Sequence, residues 1–146
     1  WSSDVCSSDL DKANGFQNRK LSAVRVKEPI KIDGDLTKEV WKSAAVAETF
    51  VDIQNGNPVT EQTKAYLLYD EKYIYVGFYA KDSQPNAIVA RETLRDYKFQ
   101  QQFDPLSEDS VDVAFDPFEV HRQEERTIFS LNALGTHCSF GRRQRQ

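Results

Sequence analysis

The stretch that most constrains the fold lies at residues 63–82 and reads TKAYLLYDEKYIYVGFYAKD. Two runs rich in β-branched and aromatic residues, 65–69 and 73–81, flank the polar loop 70–72. Runs of this composition, separated by a loop of this length, are typical of a β-hairpin. The sequence therefore predicts two antiparallel strands here.

Alternate residues of the second run differ in character, and each set falls on one face of a strand. We predict that the aliphatic set faces the core. The other set is mostly aromatic and suits either packing beneath a second layer or a surface that binds a ligand. The aliphatic set comprises Ile74, Val76, Phe78 and Ala80, and the other set comprises Tyr73, Tyr75, Gly77 and Tyr79.

Further short strands are predicted on both sides of the hairpin. A first strand over residues 21–32 is interrupted near Pro29, and a short helix over residues 38–45 follows, with Thr37 as its cap and Trp41 in the core. The other predicted strands are residues 48–53, 110–115 and 126–132. Short strands with one small helix near the N terminus predict an all-β fold, specifically an antiparallel β-sandwich of the jelly-roll or immunoglobulin type.

The composition excludes several classes of protein. At 39% hydrophobic and 12% aromatic residues, the chain is too apolar for general disorder. No apolar run approaches the roughly 20 residues that a membrane-spanning helix needs, so we expect no membrane span in these residues. The formal net charge of −4 argues against a nucleic-acid partner, because such a protein needs a basic surface.

The two ends of the chain differ from its middle. The first ten residues, WSSDVCSSDL, resemble the translation of a common short-read sequencing adapter. We therefore interpret residues 1–20 as an artefactual or disordered leader and linker, and residues 21–146 as one domain. Without the leader, Cys138 is the single cysteine, so cysteine usage gives no information on compartment. The polar ending GRRQRQ closes no predicted strand, and we expect the domain to be incomplete there.

Motifs of known enzyme classes are missing from the sequence. It has no GxSxG elbow, no glycine-rich phosphate loop, and no HExxH or CxxC spacing. His121 and His137 lie far apart and, with Cys138 beside the second, are too few for a metal site, so we interpret them as solvated loop residues. We expect no catalytic residue in this chain.

Carboxylates are concentrated in residues 104–116, on and beside a predicted strand, although strands are usually poor in them. Asp109 and Asp112 are candidates to bind a hard cation or the hydroxyl groups of a sugar. The alternative is a solvent-facing edge strand that is partly paired with arginines. Arg126 is a candidate donor to the same hydroxyl groups, and Tyr75 is a candidate to stack on a sugar ring.

Four segments share their order and approximate spacing with one known family. They are IKIDGDLTKEVWKSA at residues 30–44, the hairpin at 63–83, SEDSVDVAFDP at 107–117 and TIFSLNALG at 127–135. Together they resemble family 9 carbohydrate-binding modules, which open with an Ile-Asp-Gly turn and a short helix bearing a tryptophan. The segment at residues 116–137 is more similar to the family-9-like N-terminal domain of large bacterial envelope proteins that are often labelled hydrolases.

The resemblance implies a calcium-stabilised β-sandwich that grips the ends of sugar chains. Asp112 fills the family's acidic ligand position, whereas Ser130 stands where the family has an arginine. Leu106 stands where the family has the first of two tryptophans that clamp the sugar, and the second would lie beyond Gln146. The implied partner is a polysaccharide or oligosaccharide, and the implied location is secreted, periplasmic or associated with the outer membrane.

These expectations combine into one predicted function and two alternatives. The prediction is a non-catalytic carbohydrate-binding domain, an N-terminal fragment of a larger protein that is linked to carbohydrate catabolism and continues into a further domain. The first alternative is a structural or interaction domain on the same fold, without a sugar site. The second is a part of a glycoside hydrolase that cleaves O-glycosyl bonds.

Overall fold

The computed structural model describes residues 2–4, 20–52, 54–95, 108–117 and 126–140. Strands make up 39% of the structure and helices 7%, which confirms the all-β class. The sheets are open, and they contain mixed and antiparallel strands. Two compact units divide the chain, Trp1–Ser83 and Gln84–Gln146, and each is described by itself.

The first unit contains six strands and one short helix among its described residues. The strands are β1 (Ser2–Asp4), β2 (Lys20–Ser22), β3 (Val24–Arg25), β4 (Ala45–Ala47), β5 (Thr63–Tyr69) and β6 (Ile74–Ala80), and the helix is α1 (Glu39–Lys42). Strand β1 falls within the predicted leader and pairs antiparallel with β2. Most of the leader lies outside the described residues, so its interpretation stays a prediction.

Strand β5 is the centre of a four-stranded sheet. Strand β6 pairs with it antiparallel along its whole length, with Thr63 opposite Ala80 and Tyr69 opposite Ile74, which confirms the predicted hairpin. Along the other edge of β5, β4 runs antiparallel and β3 runs parallel. The hairpin loop is fixed by Asp70, whose Oδ1 accepts hydrogen bonds from the backbone N–H groups of residues 72 and 73.

The core of the first unit is built around three buried side chains, Trp41, Leu68 and Tyr75. The prediction that Trp41 belongs to the core is confirmed. Partly buried residues pack against this cluster, namely Val24, Val26, Ile30, Leu36, Val40, Ala44 and Tyr66. The Trp41 ring meets Tyr66 edge-on, with ring centroids 6.4 Å apart.

The prediction that the aliphatic set of β6 faces the core is wrong. Tyr75 is 6% exposed and Gly77 is buried, whereas Ile74 is 52% exposed. The reason is the indole of Trp41, which packs so closely over Gly77 that an added Cβ would lie 3.2 Å from it and 2.6 Å from a methyl group of Leu36. Because Gly77 has no side chain, the Trp41 ring of α1 can pack directly against the backbone of β6.

The predicted helix is shorter than expected and is capped differently. It spans Glu39–Lys42, and Lys38 at its N-cap makes no side-chain capping bond. The hydroxyl of Thr37 instead donates to Asp35 Oδ1 at 2.6 Å, within the turn where Gly34 adopts a φ of +77°. Because this positive φ disfavours other residues, Gly34 is needed in the Asp-Gly-Asp turn.

The other strand predictions in this unit are only partly correct. The predicted strand at residues 48–53 is displaced, because β4 covers Ala45–Ala47 and Val51 makes only an isolated bridge to Pro58. The first predicted strand, 21–32, is confined to β2 and β3 and ends well before Pro29.

The second unit is a three-stranded antiparallel sheet in its described part. Its strands are β7 (Ser110–Phe115), β8 (Thr127–Asn132) and β9 (His137–Phe140), in the order β7-β8-β9. The predictions for β7 and β8 are confirmed, whereas β9 was not predicted. His137 therefore begins a strand and is not a loop residue, although it is exposed, and His121 lies outside the described residues. No described helix is long and apolar enough to cross a membrane.

Candidate functional site

One side of the β7-β8-β9 sheet carries polar side chains. Because side chains alternate along a strand, this side carries Asp112 of β7, Ser130 and Asn132 of β8, and Cys138 of β9, besides Ser110, Ala114 and Ile128. We call Asp112, Ser130, Asn132 and Cys138 the polar face. The opposite side carries Val111, Val113, Phe115, Phe129 and Leu131, and the rings of Phe115 and Phe129 meet there edge-on at 5.7 Å.

Asp112 and Ser130 are direct cross-strand partners, and Cys138 lies opposite Ser130 on the next strand. Side chains in such positions are near neighbours, with Cβ atoms about 4.5–5.5 Å apart. Asp112 is exposed, whereas Ser130 and Cys138 are buried. The fold thus brings together the two positions that the resemblance associates with sugar binding.

Two buried polar atoms in this unit have no hydrogen-bond partner. They are Ser130 Oγ and Arg126 Nε, the only such side-chain atoms in the described part of the chain. Arg126 directly precedes β8, so the alternation of side chains places it on the same side of the strand as Ser130. Native proteins pair nearly all buried polar groups, and unpaired groups therefore call for a bound water, ion or ligand.

Asn132, in contrast, uses its full hydrogen-bonding capacity. Its Nδ2 donates to the backbone oxygen of Glu92 at 3.0 Å and to Glu108 Oε2 at 2.8 Å. Its Oδ1 accepts from the backbone N–H groups of Leu134 and Thr136, at 3.1 and 2.9 Å. Asn132 is therefore a structural residue that ties three segments of the second unit together.

The carboxylate of Glu108 is held by the same network. Its Oε1 accepts from the backbone N–H groups of Arg91 at 2.6 Å and of Glu92 at 2.9 Å. Desolvation acts to raise the pKa of Glu108, but the hydrogen bonds from Arg91, Asn132 and Glu92 and the charge of Arg91 together lower it below its ordinary value. Glu108 is thus an ionised structural group.

Asp109, a predicted ligand residue, makes two hydrogen bonds with the backbone of Val89, one as donor and one as acceptor. Its backbone N–H donates to Val89 O at 2.8 Å, and its Oδ2 accepts from Val89 N at 2.7 Å. The residue precedes β7 and is not part of the polar face. Its carboxylate supports the local backbone, and this accounts for an acidic residue at the start of the strand.

Tyr75, the predicted stacking residue, lies in the core of the first unit. Its hydroxyl donates to Asp70 Oδ2 at 2.6 Å and accepts from the backbone N–H of Ile30 at 3.3 Å. The hydrogen bond to Asp70 raises the pKa of Tyr75 and lowers the pKa of Asp70. A buried ring cannot stack on a sugar, so we correct this assignment: Tyr75 packs beneath α1, in line with the alternative role of its face.

Of the four predicted site residues, only Asp112 and Arg126 are placed on one side of a single sheet. Asp112 and Arg126 lie on one side of the second sheet, Asp109 is bonded to Val89, and Tyr75 belongs to the other unit. Sequence reasoning did not assign a role to Asn132. The signal for it was the Asn-x-x-Gly turn, in which Gly135 has a φ of +82° and donates its N–H to Asn132 O.

The calcium site that the resemblance implies stays a prediction. No group of three or more His, Cys, Asp or Glu side chains in these ranges is arranged to hold a metal ion. Two carboxylates just before β7, those of Glu108 and Asp109, accept backbone hydrogen bonds. Leu106, at the family's tryptophan position, lies outside the described residues.

Comparisons with known proteins add no assignment. No protein-family model, curated protein or solved structure matches this chain. Any function must therefore be argued from the residues and from the geometry of each unit.

Proposed function

We propose that this chain is a non-catalytic carbohydrate-binding domain in which the exposed Asp112 of the polar face contacts the sugar, with Ser130 and Arg126 in supporting roles. The observation that carries the proposal is that Asp112 pairs with Ser130, whose buried Oγ has no hydrogen-bond partner. The buried Nε of Arg126, on the same side of the strand, has no partner either. Sugar hydroxyl groups both donate and accept hydrogen bonds, so they can complement a carboxylate, a hydroxyl and an arginine at once.

The three side chains have different roles in the proposal. Asp112 is exposed, so its carboxylate makes the direct contact with the sugar. Ser130 is 1% exposed, and its Oγ binds a water molecule or a ligand hydroxyl that accompanies the sugar. Arg126 supplies a charged donor, which makes a stronger hydrogen bond than a neutral one.

The finer fold assignment, an antiparallel β-sandwich, belongs to the same proposal. It is supported by open sheets that carry apolar side chains, as the sheets of a sandwich do. We also propose that the parent protein is secreted, periplasmic or associated with the outer membrane and acts in carbohydrate catabolism. The motif resemblance is the support for these points, and calcium has no part in the proposal.

A second candidate is a structural or interaction domain without a sugar site. The positions of Asp109 and Tyr75 favour it, because the polar groups of both are used within the fold. Binding to immobilised and soluble glycans separates the two candidates. Retention on no glycan would support the structural role and contradict the sugar site.

The residue test is Asp112→Ala, with Glu39→Ala as its control. The control removes an exposed carboxylate from the other unit and so changes the net charge equally. A hydrogen bond to a charged group is worth about 1.5–3 kcal/mol, so Asp112→Ala should weaken binding roughly 10- to 100-fold. Its melting temperature should stay close to that of wild type. Equal losses of stability and binding would mark Asp112 as structural.

A further inference from the structure

An asparagine followed by a glycine lies in the largely exposed loop that Val51 and Pro58 close by an isolated β-bridge. Asn55 is exposed, and Gly56 adopts a φ of +71°. In the described part of the chain no other asparagine precedes a glycine, since the others precede a proline or an alanine. The pair belongs neither to the core nor to the polar face.

The Asn-Gly pair carries the chemistry of deamidation. The backbone nitrogen of Gly56 attacks Cγ of Asn55, so that an N–C bond forms and the Cγ–Nδ2 bond breaks. The amide leaves as ammonia and takes the proton that the attacking nitrogen gives up. Water then opens the resulting succinimide ring at either carbonyl, which leaves aspartate or isoaspartate at position 55. Glycine favours the attack, because it has no Cβ that would shield its nitrogen.

One hydrogen bond of the loop activates the side-chain amide. The backbone N–H of Asn57 donates to Asn55 Oδ1 at 2.8 Å. Negative charge develops on this oxygen as the Gly56 nitrogen attacks, and a donor that already points at it stabilises that charge. The loop therefore holds the carbon that is attacked in a polarised state.

Three other hydrogen bonds restrain the attacking nitrogen, and Asp52 accepts all three. Gly56 N donates to Asp52 O at 2.8 Å, so the nitrogen that must attack is engaged as a donor. Asp52 Oδ1 accepts from the backbone N–H groups of Gln54 at 2.7 Å and of Asn55 at 3.2 Å. The attack requires the loop to open, and its rate follows the population of the opened loop.

We infer that Asn55 is a deamidation site and that Asp52 sets the rate of the reaction by holding the loop closed. Conversion is slow in the folded chain and faster once the loop opens. Isoaspartate adds a methylene to the backbone before Asn57, whose oxygen accepts from Asp52 N at 2.8 Å, so it disrupts the loop beside the bridge of Val51 with Pro58. The inference does not depend on the sugar-binding function.

The test follows deamidation by peptide mass mapping in wild type, Asp52→Ala and Asp52→Asn at mildly alkaline pH. Asp52→Asn is the matched control, because it removes the same charge and keeps an oxygen that accepts from residues 54 and 55. Asp52→Ala should speed conversion of Asn55 at least about fivefold, the factor that one ordinary hydrogen bond is worth, and Asp52→Asn should stay within about twofold of wild type. Circular dichroism checks that all three proteins are folded.

Two controls assign the signal. Asn55→Gln should abolish it, because glutamine would have to form a larger ring. Asn86 is exposed but precedes Ala87, whose Cβ shields the backbone nitrogen, so it should not convert over the same period.

Unfolding in urea separates the site from its control by the fold. In urea Asn55 should convert faster than in folded wild type, and at the same rate in all three proteins, since the bonds of Asp52 are lost. Absence of conversion at Asn55 in urea would overturn the site. Equal rates in folded and unfolded wild type, or equal rates in the two folded Asp52 variants, would overturn the role of Asp52.

Discussion

The two units bury different kinds of side chain. The first unit is organised around Trp41, Leu68 and Tyr75, and the Tyr75 hydroxyl in this cluster has two hydrogen-bond partners. The described part of the second unit buries Ser130 and Asn132 instead. Of these two polar side chains, Asn132 is fully bonded and Ser130 is not.

This difference separates what stabilises the fold from what is available for binding. Apolar burial lowers the free energy without specific partners, whereas a buried polar group costs free energy unless it is bonded. Asn132 meets that condition within the fold, but Ser130 Oγ and Arg126 Nε do not. Buried polar groups without partners reduce stability and are therefore candidates for a function, and this is why we propose binding in the second unit.

The largest effect should come from the apolar core. Trp41→Ala removes the ring that covers Gly77, and it should lower the free energy of unfolding by about 3–5 kcal/mol in urea denaturation. The control is Ile32→Ala, since Ile32 is 72% exposed and should change stability by no more than about 0.5 kcal/mol. If the two variants are equally stable, the first unit does not depend on this core.

The next effect concerns the polar core of the second unit. Asn132→Ala leaves the N–H groups of Leu134 and Thr136 and one oxygen of Glu108 without a partner. We expect a loss of about 1–3 kcal/mol in the same assay. Asn86→Ala, in the exposed 3₁₀ helix Pro85–Ala87, should have almost no effect. A loss as small as that of the control would show that the network is dispensable.

Acid should destabilise both units, because each contains a hydrogen-bonded carboxylate with a lowered pKa, Asp70 in the first unit and Glu108 in the second. The hydrogen bond from Tyr75 lowers the pKa of Asp70, and the pKa of Glu108 is also lowered. A lowered pKa means that the unfolded chain binds protons first. The stabilisation is therefore full above the ordinary carboxyl pKa and is lost as the pH falls from there through the lowered pKa of the folded chain. Melting temperatures from pH 7 to pH 3 should fall less steeply in Asp70→Asn and Glu108→Gln. Slopes identical to wild type would contradict this.

The smallest expected change in the free energy of unfolding is that of Ser130→Ala, and it should be zero or a gain and not a loss. Ser130→Ala removes a buried hydroxyl that has no partner, so it should leave stability unchanged or raise it by up to about 1 kcal/mol. Ser110→Ala, at an exposed position of the same strand pair, is the control and should change nothing. A clear loss of stability in Ser130→Ala would mean that the hydroxyl is bonded in solution.

Local sequence patterns were sufficient for the elements that depend on neighbouring residues. The β5–β6 hairpin, β7, β8 and the core position of Trp41 all follow from alternation or turn residues. The buried face of β6 could not be predicted, because both of its faces carry large apolar or aromatic side chains. Only the close packing of Trp41 on Gly77, a contact between distant segments, determines the face.

The candidate site was harder to predict than the fold. Asp112 and Ser130 lie at opposite strand positions, which the register sets, and the resemblance pointed to both. The bonds of Asp109 to Val89 and of Asn132 to Glu108 link segments far apart in the sequence. No local pattern encodes such bonds, so carboxylates that support the backbone were read as free ligands.

The most direct test maps backbone amide chemical shifts while an oligosaccharide that the chain retains is titrated in. The account predicts that the largest changes cluster at Asp112, Arg126, Ser130 and Cys138, while the amides around Trp41 and Leu68 stay unchanged. Changes concentrated at the exposed rings of Tyr73 and Tyr79 in the first unit, or no change with any glycan, would contradict it.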